Sequence, residues 1–232
     1  MVKYKVIVLA AGQGKRMNVG KNKQFIQLID EPLIVHTVRN FVEDDWCESI
    51  IIVLHEQDKD EMLKLFNQYP WCNQLEFVTG GKERQDSSYS GLINIQANPE
   101  DVVMIHDGAR PFLRLDHLHE LATIAKQKQA ALLAVQVTDT IKQKTEKGLQ
   151  TLDRAMLWAA QTPQAFQYQT IKKAHQLARE EEYFGTDDAS LVERYGKGIQ
   201  VQIVEGSYEN VKLTTPDDIL RAEMIVKKRG VK

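Results

Sequence analysis

A fully apolar run that leads into a glycine-containing loop constrains the fold of this chain more than any other feature. Residues Val6–Leu9 are hydrophobic at every position, which is typical of a parallel strand buried on both faces. The small residues Ala10, Ala11, Gly12 and Gly14 follow, and small residues let backbone N–H groups approach a phosphate closely. Ligands bind at the carboxyl ends of strands in α/β sheets, so the pattern predicts a phosphate-binding loop there.

Positive charge is concentrated in the same stretch. The first 24 residues contain six basic side chains and no acidic one, although the 232-residue chain has a formal net charge of −2. Four of the six follow the strand: Lys15, Arg16, Lys21 and Lys23. They favour a triphosphate ligand over a tight turn with solvated lysines. The loop is not a dinucleotide-binding motif, whose third glycine would fall on Met17, and it lacks the Ser or Thr that follows Gly-Lys in a Walker A motif.

The composition indicates an ordinary globular enzyme. Hydrophobic residues make up 43% of the chain and charged residues 27%, and 232 residues suffice for one well-buried α/β domain. The near-neutral charge argues against a nucleic-acid-binding protein. Cys47 and Cys72 form no metal-binding pattern, so we expect neither zinc nor a disulfide. No apolar run approaches the ~18 residues of a membrane span and the chain begins with a strand-like segment, so we expect a cytoplasmic enzyme without membrane contact.

Strand-like apolar runs alternate with segments of helical periodicity along most of the chain. The predicted strands are Lys5–Leu9, Ser49–Leu54, Leu75–Thr79, Asp101–His106, Ala131–Val137 and Ile199–Glu205. The predicted helices are Pro32–Phe41, with proline at the first helical position, Gln57–Tyr69 and Asp116–Lys128. Such alternation predicts an α/β fold with a doubly wound, mostly parallel sheet and right-handed crossovers.

One segment interrupts this alternation. Residues Thr138–Arg154 are mostly polar, partly β-branched and centred on a Glu146-Lys147-Gly148 turn, which predicts a protruding β-hairpin. An exposed two-stranded ribbon is marginally stable alone, and packing against a second subunit would remove that problem. We therefore expect a homodimer formed through this arm, with a flexible surface loop as the alternative.

Two further segments follow strands at the same predicted edge of the sheet. Gly80–Ser87 brings glycines and short hydroxyls to a strand end, where they can bind a base and a ribose; a capped strand-to-helix turn is the alternative. Asp107 follows the next strand and is the candidate ligand for Mg²⁺, which prefers one or two carboxylates together with phosphate oxygens. Arg110 can bind a phosphate through two parallel hydrogen bonds. For His106 we expect a partly buried structural role, with its ring hydrogen-bonded to the backbone.

Three segments nearer the carboxyl terminus add polar groups. They are Gln161–Gln164, Gly185–Ser190 and Asn210–Pro216. Within the second, Thr186-Asp187-Asp188 has the form of a helix N-cap with acidic residues in the first turn. Lys212 follows a short strand and precedes a helix start at Thr215-Pro216, a position suited to a second phosphate-binding lysine.

Five blocks of the sequence together resemble the 2-C-methyl-D-erythritol 4-phosphate cytidylyltransferases of the non-mevalonate isoprenoid pathway. The blocks are LAAGQGKRM, HDGARP, QTPQAF, TDDASLVE and VKLTTPDD, in this order. The resemblance covers essentially the whole chain and implies one Rossmann-like nucleotidyltransferase domain over residues 1–232, with a dimerisation arm at about 138–157. It implies that CTP and 2-C-methyl-D-erythritol 4-phosphate react, with Mg²⁺, to give 4-diphosphocytidyl-2-C-methyl-D-erythritol and pyrophosphate.

The resemblance also implies roles for individual residues. Catalytic positions fall on Arg16, Lys23, Lys212 and Arg154 of the partner subunit. CTP-binding positions fall on Ala10, Ala11, Gly12, Gly14, Lys15, Gly80, Gly81, Ser87 and Asp107. Acceptor-binding positions fall on Asp107, Arg110, Thr162 and Thr186, and the metal-binding position falls on Asp107. The chain departs from the family pattern at Asn22, where proline often precedes the catalytic lysine.

Three alternatives stand beside this interpretation. Ribitol 5-phosphate cytidylyltransferases share the fold, nucleotide and chemistry, but their blocks usually differ from HDGARP and TDDAS. A nucleotide-binding regulatory module would not need the intact catalytic set of basic residues. Glycosyltransferases of a related fold usually hold their metal through an Asp-x-Asp pair, whereas here the strand ending at His106 delivers only Asp107. We expect no general base, because a phosphate monoester is already mostly a dianion at neutral pH.

Overall fold

The computed structural model describes residues 1–12 and 22–229 of the chain, in which strands and helices alternate. The strands are β1 (Tyr4–Leu9), β2 (Gln27–Leu28), β3 (Glu31–Pro32), β4 (Cys47–Leu54), β5 (Leu75–Thr79), β6 (Val102–Asp107), β7 (Ala130–Gln136), β8 (Lys142–Thr145), β9 (Gly148–Thr151), β10 (Trp158–Gln167) and β11 (Gln202–Glu205). The helices are α1 (Leu33–Val42), α2 (Lys59–Phe66), α3 (Arg84–Asn94), α4 (Leu115–Lys128), α5 (Tyr168–Glu180), α6 (Asp188–Tyr195) and α7 (Pro216–Arg229). Within these described ranges, none of the helices is both long enough and apolar enough to cross a membrane.

A seven-stranded sheet forms the centre of the molecule, in the order β11-β7-β10-β6-β1-β4-β5. Strand β1 pairs in parallel with β4 and β6, and the β4–β5 and β7–β11 pairs are also parallel. Strand β10 runs antiparallel between β6 and β7. The predicted α/β fold with a mostly parallel sheet is confirmed, and β10 is the strand that makes the sheet mixed.

Side chains of β1 alternate between two hydrophobic cores, one on each face of the sheet. Val6 and Val8 belong to a core that includes residues of α1, α2 and α4, whereas Ile7 and Leu9 belong to a core with residues of α3, α5 and α6. Successive side chains of a strand point to opposite faces, so helices cover both faces of the sheet. This is the predicted doubly wound arrangement, and burial on both faces explains why Val6–Leu9 are apolar at every position.

The observed elements differ from the predicted ones mainly at their ends. Pro32 is the N-cap of α1 and not its first helical residue, because its ψ angle of 142° is extended. Helix α2 is shorter than predicted, since a 3-10 turn over Glu56–Asp58 precedes it and Tyr69 lies beyond its end. Strand β11 begins at Gln202, later than predicted. Strand β10 has no counterpart among the predicted strands, because polar residues such as Gln161 break its apolar pattern.

The arm (residues 138–157) contains the predicted hairpin. Strands β8 and β9 pair antiparallel, with Lys142 opposite Thr151 and Thr145 opposite Gly148. Gly148 has a φ angle of +114°, a backbone conformation that glycine adopts readily. Nearly all side chains of the two strands are exposed, and Leu149 exposes 73% of its surface. The hairpin is therefore confirmed, and it carries an apolar side chain that its own chain leaves uncovered.

Candidate active site

A pocket of about 280 Å³ opens at the carboxyl ends of β1, β5 and β6. It is lined by Leu9, Ala11, Gly12, Lys23, Gln24, Gly81, Lys82, Glu83, Arg84, Ser87, Asp107, Ala109, Lys212 and Thr214. Seven residues with a predicted role are among them: Ala11, Gly12, Lys23, Gly81, Ser87, Asp107 and Lys212. The predicted Gly14, Lys15 and Arg16 lie outside the described residues. The predicted strand edge is thus the place where the structure gathers most of the described candidates.

The loop after β5 packs tightly against the loop after β1. A Cβ atom on Gly80 would lie 2.7 Å from the Ser87 Oγ atom and 2.8 Å from the Ala11 Cβ atom, so glycine permits this approach. The N–H groups of Ala10 and Gly80 donate to backbone carbonyls of β4, each at 2.7 Å. The Gly81 N–H donates to the Ser87 hydroxyl at 3.2 Å. The hydrogen bonds of Ala10 and Gly80 therefore attach the two loops to β4. Ala11, Gly81 and Ser87 line the pocket.

Lys23 opens a short 3-10 helix that Asn22 caps. The side-chain oxygen of Asn22 accepts the Gln24 N–H at 3.1 Å, and its amide nitrogen donates to the Asp58 carboxylate at 2.6 Å. These two hydrogen bonds stabilise the turn at the position where the family pattern often has proline. The Lys23 ammonium donates to the Leu213 carbonyl oxygen at 3.4 Å. Lys23 therefore connects the turn before β2 with the segment that precedes α7.

Asp107, the last residue of β6, lies between two cations at the pocket. Its Oδ2 atom is 2.7 Å from the Lys212 ammonium, and its Oδ1 atom accepts a hydrogen bond from Arg84 Nε at 3.2 Å. Burial would raise the pKa of the Asp107 carboxyl, but the charges of Arg84 and Lys212 outweigh burial and hold that pKa well below its usual range. The carboxylate is therefore ionised at neutral pH, in direct contact with one of the predicted catalytic lysines.

Ion pairs and hydrogen bonds continue from the pocket into the interior. A terminal nitrogen of Arg84 donates to Asp188 Oδ2 at 2.7 Å, and Asp188 Oδ1 lies 3.0 Å from His175 Nε2. Burial would raise the pKa of Asp188, but Arg84 and His175 hold it well below its usual range. We call Lys212, Asp107, Arg84, Asp188 and His175 the ion network. It joins the end of β6 to the first residues of α3 and α6.

Sequence reasoning missed Arg84 and Asp188 as site residues. Asp187, and not Thr186, is the N-cap of α6 and forms a capping box with Ser190, so the predicted helix start is confirmed one residue later. The next carboxylate, that of Asp188, turns inward and is buried, which the pattern of charged residues does not reveal. One usable signal was present: Arg84 is a basic residue within Gly80–Ser87, the segment already placed at the predicted ligand edge of the sheet.

His106 is fully buried behind Asp107. Its Nε2 atom lies 3.0 Å from the Arg110 carbonyl oxygen, and its Nδ1 atom lies 3.1 Å from the Thr162 hydroxyl. Burial lowers the pKa of His106 to about 4, so the ring is neutral at pH 7. The predicted structural role is confirmed, with complete instead of partial burial. Thr162, predicted to bind the acceptor, also accepts the Asp107 N–H at 3.0 Å and so holds the end of β6.

Three further predicted residues are not among those that line the pocket. Arg110 donates to the Asn210 carbonyl oxygen at 2.6 Å. Thr186 is exposed in the loop before α6. Arg154 is exposed on the arm and donates to the Thr138 carbonyl oxygen at 2.8 Å. The acceptor-binding roles of all three stay predictions.

Asp107 is the pocket carboxylate to which the sequence assigns a metal. The described residues contain no group of three or more His, Cys, Asp or Glu side chains that could hold a metal ion. A magnesium site made of one carboxylate and the phosphate oxygens of a nucleotide does not need such a group, and Asp107 fits that arrangement. Arg84 and Lys212 contact its two oxygens, so a metal bound there would share the carboxylate with two cations.

Comparisons with known proteins bear on this pocket. A family model described as 2-C-methyl-D-erythritol 4-phosphate cytidylyltransferase matches residues 4–228. A protein of that name from Geobacillus thermodenitrificans is 52% identical over 229 residues, which cover 97% of this chain and 98% of the relative. Its namesake from Bacillus velezensis is 50% identical over 227 residues, with 97% of both chains covered.

Solved structures agree with the sequence comparisons. The crystal structure of a 4-diphosphocytidyl-2C-methyl-D-erythritol synthase from Anaerococcus prevotii is similar with a TM-score of 0.85 and 26% identity, covering 97% of this chain and 96% of that one. The crystal structure of a 2-C-methyl-D-erythritol 4-phosphate cytidylyltransferase from Thermus thermophilus has a TM-score of 0.78 and 26% identity, covering 97% and 100%. The similarity therefore extends over the complete central sheet and the segments that form the pocket.

Proposed function

The chain belongs to the 2-C-methyl-D-erythritol 4-phosphate cytidylyltransferase family, and on that premise we propose that it joins CTP to 2-C-methyl-D-erythritol 4-phosphate and releases pyrophosphate. The observation that carries this proposal is the pocket itself. Lys23 and Lys212 line it together with Asp107, at the strand ends where an α/β sheet binds its ligand. The product is 4-diphosphocytidyl-2-C-methyl-D-erythritol.

The reaction needs no protein base. The second pKa of a phosphate monoester is about 6, so the acceptor phosphate is mostly a dianion at neutral pH. One of its oxygens attacks the α-phosphorus of CTP in line with the leaving group. The bond from that phosphorus to the oxygen bridging the β-phosphate breaks, and pyrophosphate leaves with the bonding electrons. Buried, neutral His106 agrees with this scheme, because both of its ring nitrogens already have partners within the protein.

The protein's contribution is positioning and charge stabilisation. Lys23 and Lys212 would stabilise the charge that accumulates on the α-phosphoryl oxygens and on pyrophosphate, together with Arg16. The Lys212 ammonium contacts Asp107, so it must turn towards the phosphates when CTP binds. Ala11, Gly12, Gly81 and Ser87 would hold the nucleotide through the close approach that small residues allow.

We propose Mg²⁺ as the metal of the reaction and Asp107 as the residue that binds it. The chemistry of the site supports this choice, because Mg²⁺ binds through one or two carboxylates and substrate phosphates. When bound, the metal would neutralise part of the triphosphate charge.

The acceptor would be held in part by a second copy of the chain. Arg110, Thr162 and Thr186 are the acceptor-binding candidates from the same subunit, and Arg154 of the partner subunit is the fourth. The exposed arm supports this arrangement, because its uncovered Leu149 offers a surface for a homodimer. The arm at residues 138–157 is thus the proposed dimerisation element of a single nucleotidyltransferase domain.

The test is pyrophosphate release by the purified protein with CTP and Mg²⁺, with 2-C-methyl-D-erythritol 4-phosphate and ribitol 5-phosphate compared as acceptors. Release with the first acceptor alone supports the proposal. Release with the second alone would move the chain to the ribitol phosphate reaction. CTP binding without release from either acceptor would leave a nucleotide-binding module.

A further inference from the structure

Arg84 joins three elements at the pocket. It is the first residue of α3, its Nε atom donates to Asp107 at the end of β6, and its terminal nitrogen donates to Asp188 at the start of α6. Asp188 is itself contacted by buried His175 at 3.0 Å. One guanidinium therefore links a pocket carboxylate to a carboxylate in the protein interior.

Helix stability does not explain this arginine. The N-terminus of a helix carries partial positive charge, so a cation in the first turn of α3 is unfavourable there. Global stability does not explain it either. Removing a carboxylate such as Asp188 from water costs several kcal/mol, and a buried ion pair often stabilises a protein no more than an apolar replacement of similar volume. A role of Arg84 at the pocket explains why the chain places an arginine and a buried carboxylate here.

The two cations that contact Asp107 are held very differently. The Lys212 and Arg84 side chains are 36% and 30% exposed, but Lys212 ends on Asp107 Oδ2 whereas Arg84 has a second carboxylate partner. Arg84 is held on its far side by Asp188, whose side chain is 1% exposed. Lys212 can therefore turn to a new anion with little disturbance, whereas moving Arg84 would leave a buried carboxylate without its main cationic partner.

We infer that Arg84, held by Asp188, is a positioning residue that keeps the Asp107 carboxylate in place while Lys212 turns to the substrate phosphates. This inference rests on the proposed function, in which Lys212 serves the phosphates. It gives Asp107 one fixed partner and one exchangeable partner. Arg84 acts through Asp107 and not through its own contact with the nucleotide.

The test compares Arg84→Lys and Asp188→Asn with the matched control Arg179→Met. Lysine keeps the charge but cannot reach two carboxylates with a planar fork, and asparagine removes the charged anchor of Arg84. Arg179 lies on α5 and pairs with Asp86 of α3 at the surface, so its variant breaks an ion pair to the same helix outside the pocket. We expect both test variants to lose about tenfold or more in kcat, as supporting residues of a functional carboxylate typically do, and the control to retain wild-type kcat.

The CTP dissociation constant, measured by calorimetry without acceptor, separates positioning from direct binding. We expect Arg84→Lys and Asp188→Asn to weaken CTP binding no more than Asp107→Asn does, because Arg84 acts through that carboxylate. A weakening greater than that caused by Asp107→Asn would assign Arg84 a direct nucleotide contact and overturn the inference. Unchanged kcat in either variant would also overturn it. Thermal unfolding of each variant identifies a loss of kcat that merely follows from unfolding.

A double-mutant cycle tests the route through Asp107. If Arg84 acts through that carboxylate, adding Arg84→Lys to Asp107→Asn lowers kcat/KM by less than about twofold beyond Asp107→Asn alone. Losses that multiply would contradict the inference. Failure of the wild-type protein to release pyrophosphate would be a failure of the proposed function, and it is seen before any variant is compared.

Discussion

Arg84 and Arg154 show how differently two regions of this chain hold a charge. Arg84 contacts two buried carboxylates and reaches the pocket from the protein interior. Arg154 lies exposed on the arm, with a hydrogen bond to the Thr138 carbonyl oxygen. Contacts within its own chain set the position of Arg84. Arg154 can act at a pocket only if contacts outside its own chain position it.

The contrast extends to the surroundings of the two residues. The ion network lies at the edge of a seven-stranded sheet with a hydrophobic core on each face. The arm is a two-stranded ribbon, which is marginal by itself, and it exposes 73% of Leu149 and 79% of Met156. The pocket should therefore respond to mutation independently of protein concentration, while the arm should respond through assembly.

The largest effect is expected at the pocket, from Lys23→Ala. This change removes a preorganised charge from the transition state, so kcat should fall by about 10²-fold, measured by pyrophosphate release at saturating substrates. The matched control is Lys64→Ala on the exposed face of α2, which should retain wild-type turnover. A Lys23→Ala protein with unchanged kcat would remove Lys23 from the proposed catalytic set.

The second prediction concerns the buried ring next to the ion network. Burial lowers the pKa of His106 to about 4, so the unfolded chain, with a pKa of about 6.5, takes up the proton first as the pH falls. The stability contributed by the neutral ring is therefore present above about pH 6.5 and is lost towards pH 4. Between pH 7 and pH 5 this group should cost about 2 kcal/mol of unfolding free energy.

His106→Gln checks this prediction by urea unfolding at pH 7 and pH 5 in metal-free buffer. The difference between the two pH values should be smaller in the variant than in the wild type by about 2 kcal/mol. Packing lost in the variant affects both pH values alike and cancels in the difference. Equal differences in the two proteins would mean that His106 does not titrate as its burial requires.

The same contrast explains how much of the molecule could be predicted. Strands β1 and β6 were predictable because burial on both faces demands continuous apolar runs, and the hairpin was predictable from its turn. The loops at the strand ends followed from the topology. Strand β10 was not predictable, because Gln161 and Thr162 are polar residues buried by tertiary contacts that no local pattern shows.

Site residues divide in the same way. Asp107 was predictable because it ends β6 at the ligand edge. Lys212 was predicted to follow a short strand, but among the described residues no strand lies between β11 and α7, so this basis for the prediction was wrong. Arg84 and Asp188 were not predictable as site residues, since their roles depend on an ion pair between residues 104 positions apart in sequence. The role of Arg154 was inferred from the family resemblance alone. Within its own chain, Arg154 does not line the pocket.

The third prediction sharpens the contrast between the two arginines. Arg154→Ala should lower kcat/KM by about tenfold, because a hydrogen bond to a charged phosphate group is lost. Co-expressing this variant with Lys23→Ala should restore about a quarter of wild-type activity, since half of the dimers are mixed and one of their two sites is intact. Activity that stays at the level of the single variants would mean that Arg154 acts within its own chain.

The smallest effect on folding is expected from the arm itself. Replacing Leu149 and Met156 together by glutamate places charge where a dimer would bury apolar surface, so sedimentation velocity should show dimer converted to monomer. The free energy of unfolding of the monomer should change by no more than about 0.5 kcal/mol, because both side chains are exposed in the single chain.

Leu220→Glu is the matched control for this change. Leu220 is 63% exposed on α7, outside the arm, and its variant should sediment as the wild type does. Three results would break the contrast between pocket and arm: a wild-type protein that is monomeric at every concentration, an arm variant that stays dimeric, or equal loss of dimer in the control. The first two would remove the arm from the proposed assembly, and Arg154 would then need another route to the acceptor. The third would move the interface to the surface around α7, and the uncovered leucine of the arm would lose its explanation.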